Sequence, residues 1–159
     1  MLERIVPVLH NVFSPQKVVE SARLVYGLGF KLFVVTKASG SAAQTGVPEA
    51  QKLALKLNRA FIYLSDLDDA IELLGPSTVF TVVPPPYASE ELTKDHVLDA
   101  VAKGRVLIVF GGSDPGLSRR ELEKGLAVYP PGITGDVGSV GLLAVTLYYV
   151  SRIILSSRE

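Results

Sequence analysis

Short apolar segments alternate with helical segments along the whole chain, and this alternation constrains the fold more than any other feature. Six segments have the apolar, β-branched composition of buried strands: "RIVPVL", "KLFVV", "AFIYL", "TVFTVV", "RVLIVF" and "LAVY". The segments between them carry helix-capping residues or apolar residues at helical spacing. Strands that alternate with helices in this way predict an α/β fold, a mostly parallel sheet with helices on both faces.

Size and composition bound the class of protein. The 159 residues predict a single domain, residues 1–159, that is long enough to bury a core. The formal net charge is zero, so contact with nucleic acid would need a local basic patch. The N-terminus lacks a signal-peptide segment, and the apolar run at residues 140–150 is shorter than the roughly 20 residues that span a bilayer. We therefore expect a cytoplasmic protein without membrane contact.

Capping residues predict several element boundaries. Ser14 is expected to cap a helix that begins at Pro15, and residues 10–15 before that helix are expected to form a loop. Ser65 is expected to cap a later helix. Another helix is predicted over residues 89–103, because its first turn, "SEEL", carries acidic residues where the helix dipole favours them.

Two strands near the C-terminus each lead into a glycine- and proline-rich loop and then a helix. "RVLIVF" is followed by "GGSDPGLS", and "LAVY" is followed by "PPGITGDVGS". Open α/β sheets bind small molecules at the carboxyl ends of their strands, and glycine lets a ligand approach the backbone. We therefore predict a cofactor held between these loops. The predicted contacts are Val83, Gly111, Gly112, Gly116, Tyr129, Gly135 and Gly138.

Two other interpretations of these loops are open. The helix that starts at Ser118 directly after the first loop also suits a phosphate, which favours a doubly wound nucleotide-binding domain. However, the chain contains neither G-x-x-x-x-G-K nor G-x-G-x-x-G. Each glycine can also serve only a tight turn.

Three segments resemble, in order, the motifs of SpoU-type RNA methyltransferases of the SPOUT superfamily. They are "VLHNVFSPQKVVESARLVYGLGF", "IVFGGSDPGLS" and "YPPGITGDVGSVGLLAVTLYYV", and together they cover nearly the whole chain. The matching residues are Asn11, Pro15, Arg23 and Gly29 in the first motif, Phe110, Gly111, Gly116, Leu117 and Ser118 in the second, and Pro130, Ser139, Val140 and Tyr148 in the third.

This resemblance implies a C-terminal trefoil knot, S-adenosylmethionine as the cofactor, and methyl transfer to a ribose 2′-hydroxyl of tRNA or rRNA. A 2′-hydroxyl is a poor nucleophile that needs a proton acceptor or a partner for its developing charge. In the family an arginine at the position of Arg23 assists that step, and Asn11 would orient it or contact RNA. The alternatives are an ion pair between Arg23 and Glu20, and a turn role for Asn11.

Basic residues near the ends of strands predict contacts with RNA phosphates, or else a solvated polar face. They are Lys17, Lys37, Arg119 and Arg120. The last helix is apolar on nearly every side. It therefore predicts a homodimer through the C-terminal helix, with a fully buried central helix as the alternative.

Some polar residues depart from the motifs. Ser113 stands where the second motif has Glu, and Val137 stands where the third has Asn. These departures keep open a methyltransferase-like protein that binds RNA or S-adenosylmethionine without catalysis. His10 could act as a base near neutral pH or be a satisfied residue at a strand end. With two histidines and no cysteine, the sequence predicts no zinc site.

Overall fold

A seven-stranded parallel sheet forms the centre of the computed structural model, which we describe for residues 1–157. The strand order is β3-β2-β1-β6-β4-β7-β5, and every neighbouring pair is parallel. The predicted α/β class is therefore confirmed. The strands are β1 (Ile5–Val12), β2 (Leu32–Ala38), β3 (Ala60–Leu64), β4 (Thr78–Val82), β5 (Glu90–Glu91), β6 (Val106–Gly111) and β7 (Leu126–Tyr129).

Helices cover both faces of this sheet. They are α1 (Pro15–Gly27), α2 (Val47–Lys56), α3 (Leu67–Leu74), α4 (Lys94–Lys103), α5 (Arg119–Leu122) and α6 (Ser139–Ser156). One apolar cluster joins α1, α2, α4 and α6 to the sheet, and a second joins α3 and α5. Ile108 belongs to the first cluster and its neighbour Leu107 to the second. Because successive strand residues point to opposite faces, the two clusters lie on opposite sides of the sheet.

The predicted boundaries hold where they depend on local chemistry. Ser14 caps α1, its hydroxyl accepting a hydrogen bond from the Lys17 amide at 3.3 Å, and Pro15 is the first helical residue. The predicted cap at Ser65 is wrong by one residue, because the Asp66 carboxylate caps α3.

Two boundary predictions fail where tertiary pairing decides. The predicted loop over residues 10–15 is wrong for residues 10–12, because β1 continues to Val12 between two partner strands; only residues 13 and 14 connect β1 to α1. The helix predicted from residue 89 begins only at Lys94. Residues 90 and 91 instead pair with β7, and the Leu92 amide donates to the Tyr129 carbonyl at 2.8 Å. Thr93 then caps α4.

Helix α6 is long and apolar enough, by length and composition, to cross a membrane. Its apolar residues Leu143, Leu147, Val150 and Ile154 have no exposed surface and pack in the core. The fully buried alternative is not observed, since Tyr148 is 58% exposed. The trefoil knot and the cytoplasmic location stay predictions.

Candidate functional site

A crevice of about 560 Å³ opens at the carboxyl edge of the sheet, where β4 and β6 end. This volume falls in the range of small-molecule sites, about 300–1,000 Å³. The longest continuous part of its wall comes from the loop after β6, through Gly111 and residues 113–117. The loop after β4 and the segment leading into α6 form the other sides. The two glycine-rich loops singled out by the sequence therefore meet at one crevice.

The predicted cofactor contacts divide into two groups. Val83, Gly111, Gly116 and Gly138 line the crevice. Gly112, Tyr129 and Gly135 are not part of its lining. Pro84 and Tyr87 also line the crevice, but of this loop the sequence predicted only Val83. The three prolines that follow β4 were the available signal, because proline restricts the backbone of a loop.

Two glycines of the loop after β6 are explained by close packing of the backbone. A Cβ atom on Gly111 would lie 2.8 Å from the Gly116 Cα, and one on Gly112 would lie 2.7 Å from the Val12 Cβ. A Cβ atom on Gly116 would meet no atom within 4 Å. The loop thus folds back on its own strand, and this contact shapes the crevice.

Charged side chains of both signs border the crevice. Lys17 and Arg119 supply positive charge, and Asp114 and Asp136 supply negative charge. The Asp136 carboxylate also accepts a hydrogen bond from the Gly138 amide at 2.8 Å, which orders the start of α6. Lys17 Nζ lies 3.5 Å from the Gly112 carbonyl oxygen, a long contact that leaves the ammonium able to turn to a ligand.

His10 lies beneath the crevice in a buried hydrogen-bond network. Its Nε2 is 2.6 Å from Glu121 Oε2, and its Nδ1 is 2.8 Å from Thr36 Oγ1. The imidazole has no exposed surface, so it cannot touch a ligand. This geometry fits the satisfied-residue interpretation of His10.

Glu121 connects this network to the wall of the crevice. Its second carboxylate oxygen accepts a hydrogen bond from the Ser118 amide at 2.8 Å. Partial burial raises the pKa of Glu121, but the Ser118 amide and the neighbouring His10 outweigh that effect and hold the pKa below 4.5. An ionised Glu121 therefore ties α5, which follows the loop after β6, to the centre of the sheet.

The two predicted catalytic residues lie apart from each other. Asn11 contacts the crevice loop, since its Nδ2 donates to Ser113 Oγ at 3.2 Å. Arg23 is exposed and lies in a separate open groove with Leu24 and Val140, between α1 and the start of α6. Of the predicted RNA contacts, Lys17 and Arg119 line the crevice, whereas Lys37 and Arg120 are exposed outside it.

Metal-ligating side chains are sparse. Within residues 1–157 there is no group of three or more His, Asp and Glu residues placed to hold a metal ion. The crevice itself offers only Asp114 and Asp136. A Mg²⁺ ion at these two carboxylates would therefore depend on ligand phosphates and water for the rest of its coordination.

Solved structures with a similar fold support the SPOUT-like architecture. A candidate methylase-family protein from Haemophilus influenzae superposes with a TM-score of 0.76 at 18% identity, covering 99% of this chain and 67% of the other. The TrmH/SpoU tRNA modifying enzyme of A. aeolicus gives a TM-score of 0.70 at 14% identity, covering 98% and 78%. At these identities the likeness shows the fold alone.

Sequence relatives point to a different activity. A candidate type II restriction enzyme of Aeropyrum pernix is 46% identical over 148 residues, covering 93% of each chain. Another from Methanocaldococcus jannaschii is 38% identical over 144 residues, covering 91% of this chain and 94% of the relative. A family model described as RecB-family nuclease (DUF2122) matches residues 40–149, more than half of the chain.

These relatives contradict the functional prediction made from the motifs. S-adenosylmethionine-dependent methylation of RNA, and S-adenosylmethionine as the cofactor, are wrong as interpretations of this chain. The motif resemblance reflected the shared fold, since the residues that match it lie mostly in the loops and helix starts that shape the carboxyl edge. By its match over residues 40–149 and its relatives at 46% and 38% identity, the chain belongs to the family described as RecB-family nuclease.

Proposed function

We propose that the protein binds nucleic acid and takes one unpaired nucleotide into the crevice. The crevice carries the proposal, because it combines an apolar wall of suitable size with two basic side chains, Lys17 and Arg119. The names of the relatives, restriction enzyme and nuclease, belong to proteins that act on nucleic acid. The lining of the crevice and the sequence relatives therefore both favour nucleic acid as the ligand.

The apolar wall suits a nucleobase. Val83, Leu117, Leu122 and Leu142 supply aliphatic surface. Tyr87, also part of the lining, is 72% exposed, so its ring is free to stack on a base. Carboxylates at the same site would accept hydrogen bonds from the amino groups of a base.

Positive charge suits the phosphate. Lys17 and Arg119 lie at the crevice. Helix α6 begins at Ser139 without a side-chain cap, and its first residue lines the crevice, so the positive end of the helix dipole faces the site. The negative charge of Asp136, however, repels an anion at the start of α6. We therefore propose that the phosphate binds near Lys17 instead.

Phosphodiester cleavage is a second candidate function, favoured by membership of the nuclease family. Many nucleases use carboxylate-bound divalent metals to activate the attacking oxygen. Within residues 1–157 no three such ligands are placed together, and we derive no cleavage step. Incubation of labelled nucleic acid with the protein and Mg²⁺ or Mn²⁺, with an EDTA control, tests this candidate directly.

Calorimetry with nucleoside monophosphates tests the binding proposal. Wild-type protein should bind at least one of them more tightly than inorganic phosphate. Lys17→Ala should weaken that binding about 5- to 30-fold, a loss of about 1–2 kcal/mol for a charged contact. Lys31→Ala should not, because Lys31 lies just before β2, at the amino end of the sheet.

A blocking variant provides an independent test. Gly116→Phe adds a bulky side chain where open space surrounds the position, so it should abolish nucleotide binding in a folded protein. Normal binding by a folded Gly116→Phe variant would place the ligand elsewhere. Binding of S-adenosylmethionine with no binding of nucleotides would also refute the proposal.

The RNA partner expected from the sequence stays a prediction, and we propose a homodimer through α6. Tyr148 on α6 exposes its ring to water. An open groove between α1 and α6 holds Arg23 and Val140. A second copy that covered this surface would remove Tyr148 from water.

A further inference from the structure

We infer that a strip beside the crevice binds the adjoining nucleotides of a single strand. The strip consists of Phe13 and Lys37, and it is continued by Lys17, which lines the crevice. This inference rests on the proposed binding of nucleic acid, but it concerns residues that do not line the crevice. Its partner is single-stranded nucleic acid, RNA or DNA.

The strand order places the strip and the crevice along one edge. The carboxyl ends of β2, β1, β6 and β4 lie side by side in that order. Lys37 lies near the end of β2, Phe13 directly follows β1, and Tyr87 lies in the loop after β4. Three strand spacings of about 4.8 Å give a path of about 14 Å from β2 to β4. Nucleotides on this path could lead directly to the mouth of the crevice.

Phe13 supplies a stacking surface. Its side chain is 57% exposed, although Val12 before it is fully buried and Ser14 after it caps α1. The flanking residues therefore fix the backbone of Phe13 while its ring remains in water. A single exposed apolar residue is ordinary, but this ring shares an edge with Tyr87 and two lysines. Aromatic rings beside basic residues are the means by which proteins hold single strands without reading their sequence.

The charge around the strip favours a polyanion. Segments 4–19 and 31–48, which contain β1, β2 and the loops after them, include no Asp or Glu. Glu20 lies one turn after Lys17 on α1, but within residues 1–157 no ion pair joins Lys17 or Lys37 to a carboxylate. Lys37 has a φ of 52° and Asn11 a φ of 63°, so both backbones turn just before their strands end. Non-glycine residues in this conformation are uncommon and are enriched at ligand sites.

The same features select a single strand over a duplex. An exposed ring can stack on a base only when that base is not already enclosed between its duplex neighbours. The crevice likewise admits a nucleotide only when it is free to leave a stack. Both parts of the edge therefore need unpaired nucleotides.

Fluorescence anisotropy with labelled oligonucleotides of about 12 nucleotides tests the strip. The probes are a single-stranded RNA, the matching DNA, and a blunt duplex. Phe13→Ala should weaken single-strand binding at least about fivefold, and Phe13→Trp should restore it, because stacking depends on an aromatic face. Lys37→Gln should lower the slope of log affinity against log salt by about 0.7. Comparing RNA with DNA then identifies which strand is preferred.

Matched controls separate the strip from the fold and from the crevice. Leu73→Ala removes an apolar side chain of similar exposure, 60%, on α3, and should leave binding unchanged. Lys31→Gln is the control for Lys37. Mononucleotide affinity, measured by calorimetry, should be the same in Phe13→Ala as in wild type.

The outcomes distinguish the two proposals. Unchanged oligonucleotide affinity in Phe13→Ala, or a duplex bound as tightly as a single strand, overturns the strip. Oligonucleotide binding that depends on Phe13, without any mononucleotide binding, supports the strip and refutes the crevice proposal. Mononucleotide binding without oligonucleotide binding supports the crevice proposal and refutes the strip.

Discussion

Gly111 lies where the loop after β6 folds back on its own strand, so Gly111→Ala should distort the crevice. The added Cβ would lie 2.8 Å from the Gly116 Cα and 2.9 Å from the Leu117 amide nitrogen. Carbon atoms prefer about 3.5 Å, so the backbone must separate by about 0.7 Å. No flexible side chain can absorb this movement, since all three of the nearest atoms belong to the backbone.

The energetic cost follows from this overlap. Overpacking of this kind costs about 1–3 kcal/mol. In a chain of this size, 2 kcal/mol lowers the Tm by about 4–8 °C. Gly116→Ala is the matched control, because its Cβ meets no atom within 4 Å and its φ is not in the left-handed region. Its stability should stay within about 0.5 kcal/mol of wild type.

Thermal unfolding followed by circular dichroism measures both variants. We expect a lower Tm for Gly111→Ala alone, together with weaker nucleotide binding because the wall of the crevice has moved. Equal Tm values for the two variants would show that the loop does not pack on Gly111 as described. A destabilised Gly111→Ala protein with unchanged nucleotide affinity would instead show that this contact does not shape the ligand site.

Two further predictions concern charge and assembly. Partial burial raises the pKa of Glu121, but the Ser118 amide and His10 more than offset this effect and lower the pKa from its ordinary value of 4.5. The ionised carboxylate therefore stabilises the fold above about pH 4.5. That stabilisation is lost as the pH falls through the lower pKa of the folded state. The Tm difference between wild type and Glu121→Gln should accordingly narrow below about pH 4.5, and a difference that is constant down to about pH 2.5 would contradict this. If the exposed face of α6 joins two copies, Tyr148→Glu should convert a dimer to a monomer in sedimentation experiments. Leu73→Glu on α3 is the control and should leave the dimer intact. A wild-type protein that is monomeric at all accessible concentrations would refute the homodimer.

Local sequence patterns predicted those elements that are specified over a few residues. "AFIYL" and "LAVY" form β3 and β7 with the expected bounds, because short apolar runs bounded by turn residues are typical of strands, although both strands are only partly buried. Ser14 caps α1 because its hydroxyl and the Lys17 amide are three residues apart. Glu90 and Glu91 looked like the first turn of a helix, but their backbone pairs with β7, which local propensity cannot reveal.

The candidate site was predicted in part for the same reason. Parallel strands end at one edge, so the loops after β6 and β7 could be expected to meet, and both line the crevice. The contribution of the loop after β4 depends on the position of β4 next to β6, which is a matter of strand order. Arg23 belongs to the first motif by sequence, yet the packing of α1 against α6 leaves it in a separate groove.

The sequence alone determined the α/β class, the parallel sheet and the glycine-rich loops, because hydrophobic period and glycine content act over a few residues. Tertiary structure decided which loops share a crevice, that His10 is buried against Glu121, and that Phe13 and Lys37 share an edge with Tyr87. These are contacts between segments that lie far apart in the chain. They follow from strand order and helix packing, which no local pattern of residues specifies.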